Sequence, residues 1–167
     1  DESPEAQGKS REELLREYIV WLVKMLTDKG VEHVVMWSDM LTRHMKLLEK
    51  GLADDLKAAG LTDRLILHWW WYSNQELNEN TRVAVGREFG LDGWVAPMTC
   101  YFNWQKYDVR RPNIEKMLEM AFEDGASGAV SYSVHDPDHL DHEALLASCA
   151  WCGPESTGAP EAFLEKW

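Results

Sequence analysis

Residues 64–72 read RLILHWWWY, a greasy run from Arg64 that ends in three tryptophans and Tyr72. Nothing in it alternates polar with apolar, as a half-exposed antiparallel strand would. A continuous apolar run of this length reads as a parallel strand covered on both faces. Three other stretches share the pattern. HVVMWSDML begins at His33 and ends in Trp37, Ser38 and Asp39; WVAPMTCYFNW reaches Tyr101 and Trp104; GAVSYSVHD reaches His135 and Asp136. The four strands begin near residues 33, 64, 93 and 128, a spacing of about thirty residues, the length of one βα unit.

The intervals carry helix signals. Ser10 and Glu13 form a capping box, and Leu14, Leu15, Tyr18, Ile19, Leu22, Val23 and Leu26 follow at helical spacing up to Gly30. A second helix is expected over 41–59 before Gly60. A third opens on the Ser73–Glu76 capping box and ends near Gly90. A fourth runs from Pro112 to about Glu123 before DGASG, and a fifth covers about 141–151. Strand and helix thus alternate four times after an opening helix. This defines an α/β fold of parallel βα units, either doubly wound or closed as a barrel. Residues 1–152 hold these units, and the Pro-, Gly- and Ser-bearing segment 153–167 reads as an irregular tail.

Composition narrows the function. The 167 residues carry a formal charge of −12, which repels nucleic acid phosphates and anionic lipid alike. No run of eighteen apolar residues is present, so no membrane span is expected. Three cysteines are too few and too odd in number for a disulfide framework. Cys149 and Cys152 have the C-x-x-C spacing of redox motifs, but they fall within an apolar helical pattern and are expected to be small core residues.

Nine tryptophans stand out. In α/β folds the working residues sit at the carboxyl ends of the strands. That rule puts Trp37, Asp39, Trp71, Tyr72, Tyr101, Trp104, His135 and Asp136 on one face. For Asp39, which directly precedes a helix, a plain N-cap role is the competing reading. Aromatic rings beside carboxylates suit a sugar: the rings stack on the C–H face of a pyranose, and the polar groups meet its hydroxyls.

The opening DESPEAQGKS, the helix after it and VVMWSDM together resemble the second half of the catalytic barrel of glycoside hydrolase family 20, the β-N-acetylhexosaminidases. In that family the fourth barrel strand ends in Asp-Glu, here Asp1 and Glu2, and the fifth in Trp then Asp, here Trp37 and Asp39. HWWWY is similar to its sixth strand and PMTCYFN to its seventh. The likeness runs over about residues 1–151 and implies a substrate-assisted, retaining mechanism without metal or cofactor. Glu2 would be general acid and then base. Asp1 would orient the 2-acetamido group, and Tyr101 would hydrogen-bond its oxygen. Trp37, Trp70 or Trp71 would box its methyl, and Asp136 would take sugar hydroxyls. Two positions depart from the family: Asn103 stands where it usually has Asp, and Val134 where Trp is expected.

A complete barrel has eight units and about 250 residues. The resemblance therefore implies a half barrel whose partner is the N-terminal half, with open edges that favour self-association and little activity in isolation. The substrates implied are N-acetylglucosamine or N-acetylgalactosamine glycosides. Three alternatives stand beside this reading. One is a barrel glycosidase of the family 123 type. Another is a metal-dependent hydrolase using His135, Asp136, Asp138, His139, Asp141 and His142. The third is a carbohydrate-binding module without catalysis.

Overall fold

The computed structural model describes residues 8–72, 82–99, 110–131 and 140–153. Helix α1 spans Arg11–Asp28, and both halves of its capping box form: Glu13 N donates to Ser10 Oγ at 3.2 Å, and Ser10 N to Glu13 Oε2 at 2.7 Å. Strand β1 covers Val34–Trp37. After it come α2 (Ala53–Ala58), β2 (Leu65–Trp70), α3 (Val83–Arg87), β3 (Asp92–Ala96), α4 (Arg110–Asp124), β4 (Gly128–Ala129) and α5 (Leu140–Cys152). No described helix is long and apolar enough to cross a membrane.

The expected continuous helix over 41–59 is instead broken into three pieces. Its first two turns are wide, closed by i→i+5 bonds from Met45 N to Met40 O (3.2 Å) and from Leu52 N to Leu47 O (2.9 Å). Lys46 at φ 53° and Gly51 at φ 108° interrupt the helical backbone between and within them. Regular α-helix resumes only at α2.

The four strands form one parallel sheet in the order β1-β2-β3-β4. Each crossover advances the sheet in the same direction. Because βαβ crossovers are almost always right-handed, a chain that never reverses keeps its helices on one side. The core agrees. A single buried cluster joins Ile19 and Val23 of α1, Leu56 of α2, Val83 of α3, Ile114 and Met117 of α4, and Leu145 and Cys149 of α5 to alternate strand residues, Val34, Leu65, Leu67, Trp69 and Val95.

The other residues of the same strands point away from that cluster. Register places Val35 beside Ile66 and Asp92, Trp37 beside His68 and Trp94, and Trp94 beside Gly128. This second face is only partly covered: Ile66 is buried, but Val35 and Trp37 are 39% and 40% exposed. The continuous apolar runs therefore do not mean that helices cover both faces. All the described helices contribute to the one cluster, and the opposite face is partly covered by strand residues packing on one another, as Trp37 does on His68. Cys149 lies in the core as expected, whereas Cys152 is exposed.

Candidate functional site at the carboxyl ends of the strands

The parallel register brings the endings of β1 and β2 side by side. Asp39 occupies the cap position before the first wide turn, yet its side chain caps no backbone amide. Its Oδ1 instead accepts from Trp70 Nε1 at 3.5 Å, and its Oδ2 lies 3.7 Å from His44 Nε2. The backbone there is held by its neighbours: Thr42 Oγ1 donates to Ser38 O at 2.9 Å, and both residues are buried. The carboxylate is thus turned toward the aromatic ending of the adjacent strand.

The aromatic residues divide by strand alternation. Trp37 stacks on His68 with centroids 4.4 Å apart and planes 9° from parallel, a flat platform on the less covered face. Trp70 lies on that same face, 5.0 Å from the ring of Tyr72. Trp71, one residue on, turns to the other side and packs against the helical core. Of the two alternatives that would join Trp37 in an acetamido box, Trp70 is the one on the same side of the sheet. What Trp71 supplies is its carbonyl, which accepts from Asn113 Nδ2; the same Asn113 accepts from Met98 N at 2.8 Å through Oδ1. The buried Asn113 of α4 thereby ties the end of β2 to the segment after β3. Thr99 and Ser131 hydroxyls, 2.9 Å apart, make a similar tie between the segments following β3 and β4.

Two side chains here were not singled out from the sequence. His68 faces Trp37 from the middle of β2; burial pushes its imidazole below the ordinary histidine range, favouring the neutral ring. Its Nε2 is buried without a hydrogen-bond partner. Arg43 stands 5.8 Å from the ring centroids of both Trp70 and Trp71, within cation–π range, and donates from Nη2 to His44 Nε2 at 3.3 Å. A lone His within an apolar strand, and an Arg four residues after Asp39 on a helical turn, were the signals available.

Asp1, Glu2, Tyr101, Asn103, Trp104, His135 and Asp136 lie outside the described residues, as do the Ser73–Glu76 capping box and residues 154–167. Of the His- and Asp-rich stretch at 135–142, Asp141 and His142 are described. His142 is buried at the start of α5 with Nδ1 3.7 Å from Asp141 Oδ1. Among the described residues no three His, Cys, Asp or Glu side chains converge as a metal site. Comparisons with protein-family models, curated proteins and solved structures find no match to this chain.

Proposed function

We propose that the carboxyl ends of the strands bind a sugar, and that the chain is part of a (β/α)8-barrel glycoside hydrolase removing terminal β-linked N-acetylhexosamine. The observation that carries the reading is Asp39 beside Trp70: a carboxylate not used as a cap, held next to an aromatic ring and flanked by the Trp37–His68 stack. This is the pairing of hydroxyl acceptor and apolar ring that a pyranose requires.

The barrel reading is supported by the unreversed strand order and by the placement of the helical core on one side of the sheet. An open doubly wound sheet carries helices on both faces. A sheet wound in one direction with its helices on one side is the arrangement that a barrel wall requires. In that arrangement Ile66, His68 and Trp94 belong to its interior.

The chemistry follows from the motif resemblance. Glu2 protonates the glycosidic oxygen while the substrate's own acetamido oxygen attacks the anomeric carbon, forming an oxazolinium ion; Glu2 then activates the water that opens it. Asp1 orients the acetamido N–H, and Tyr101 hydrogen-bonds the acetamido oxygen. The test is turnover of 4-nitrophenyl N-acetyl-β-glucosaminide and its galacto isomer by the completed barrel, with and without Glu2→Gln. Activity that disappears with Glu2→Gln and is inhibited by a thiazoline mimic of the oxazolinium is expected. A completed barrel inert on both substrates would sink the proposal.

A further inference from the structure

Among the partly buried arginines described, Arg43 is the one whose surroundings least account for its charge; Arg11 is exposed to solvent. Arg16 pairs with Asp55, Arg64 with Asp63, Arg82 with Glu123 and Asp124, and Arg87 with Asp92. Arg43 is partly buried, stands 5.8 Å from two indole centroids and, among the described residues, has no carboxylate at ion-pair distance; its hydrogen-bond partner is the His44 imidazole. Since a guanidinium only donates, His44 Nε2 is the acceptor in that bond, which puts the neutral ring's proton on Nδ1. Arg43 Nε is buried and unpartnered.

A chain with 29 acidic and 17 basic side chains has carboxylates to spare for its cations. A partly desolvated cation left without one is costly unless an anion arrives from outside. A guanidinium presents a planar fork of donors that matches an oxyanion. The indoles offer no competing acceptor and hold the group in place through their faces. Asp39, four residues earlier and also in contact with Trp70, occupies the neighbouring position.

We infer that Arg43 is a specificity-determining residue that binds an oxyanion substituent on the sugar, so that the preferred ligand is an anionic rather than a neutral N-acetylhexosamine. This rests on the sugar-binding reading of the strand ends. It also reverses locally what the net charge suggests globally: beyond about 8 Å at physiological salt the acidic surface is largely screened, and the nearest charges decide.

The test follows tryptophan emission of the chain during titration with inorganic phosphate at constant ionic strength, with N-acetylglucosamine, and with N-acetylglucosamine 6-phosphate. Saturable phosphate binding is expected, weakened at least tenfold by Arg43→Gln and only partly restored by Arg43→Lys, which keeps the charge but not the planar fork. The phosphorylated sugar should bind at least tenfold tighter than the neutral one, an advantage lost in Arg43→Gln. Identical phosphate curves for the parent chain and Arg43→Gln would overturn the inference. Arg43-dependent phosphate binding with no binding of either sugar would uphold the anion site and sink the sugar reading. Equal binding of both sugars would do the opposite. Should Arg43→Gln fail to fold, Asp39→Asn decides: removing that nearby negative charge must tighten phosphate binding, and unchanged affinity overturns the inference.

Discussion

Helix α3 is five residues long and follows Arg82, a cap residue that makes no side-chain cap bond of its own. Its cap comes from a distant part of the chain. Asp124, at the end of α4, accepts from Ala84 N at 3.1 Å and from Arg82 at 3.1 Å (Nε) and 2.5 Å (Nη2). Its carboxylate is 5% exposed, while Arg82 is 37% exposed and also meets Glu123 at 2.8 Å. Asp124→Ala removes a cap worth about 1 kcal/mol. It also removes a charged pair which, discounted for the exposure of Arg82, contributes about 1 kcal/mol more. The sum is about 2 kcal/mol. With a urea m-value of about 2 kcal/mol/M, the unfolding midpoint should fall by about 1 M. Asp124→Asn, which keeps an acceptor for Ala84 N, should lose about half as much. Arg82→Ala and Asp124→Ala combined should cost less than the sum of the two, because each removes the same contact. Unfolding followed by tryptophan emission measures the parent and the four variants. A midpoint for Asp124→Ala that lies within about 0.5 kcal/mol of the parent, the range of an ordinary surface change, would refute the idea that α4 caps α3.

Two further outcomes are expected. Gly93→Ala would place a methyl 2.5 Å from Val83 Cγ1 and 3.1 Å from Trp69 Nε1, between β3 and α3, and should cost about 1–3 kcal/mol in the same assay; an unchanged midpoint would show that α3 can move aside. His68 is held below its unfolded pKa by burial, so the unfolded chain binds more protons than the folded one as the pH falls through the ordinary histidine range. Its contribution is present above about pH 6.5 and lost on acidification; His68→Gln should therefore flatten the decline in stability between neutral and mildly acidic pH, and identical slopes for the two proteins would refute it.

The helix ends were legible because they rest on local chemistry. Ser10 and Glu13 cap α1 as their spacing requires, and Gly30, Gly60, Gly90 and Gly125 all take positive φ where the periodicity stops. The break in 41–59 was not legible. Leu41, Leu48, Leu52 and Leu56 keep an apolar face through α-turns and wide turns alike, and Lys46 at φ 53° is a residue type with no preference for that backbone. The strands showed their apolar content but not the reason for it. The sequence cannot tell a face buried under helices from one filled by neighbouring strands, and only register separates Leu67 from His68. At the site, Trp37, Asp39 and Trp70 were visible as strand endings. Which of Trp70 and Trp71 shares a side with Trp37 was not legible, because successive tryptophans give no phase until the strand's direction is fixed. Arg43 was hidden because its lack of an ion pair is a property of space rather than of order.

Every strand pairs with the one that follows it in the chain, Val34 with Leu65, Ile66 with Asp92, Trp94 with Gly128. Among the four described strands no sheet contact has to wait for a distant segment, so the entropy lost in closing each loop is modest and nearly equal from unit to unit. A chain wired this way can consolidate as it is synthesised, each new strand laid against a template already in place. Pulse-labelled hydrogen exchange would contradict that order if β3 and β4 became protected before β1 and β2. The same wiring makes length negotiable: units can be gained or lost at the growing edge by duplication or deletion without rewriting the contacts of those already formed.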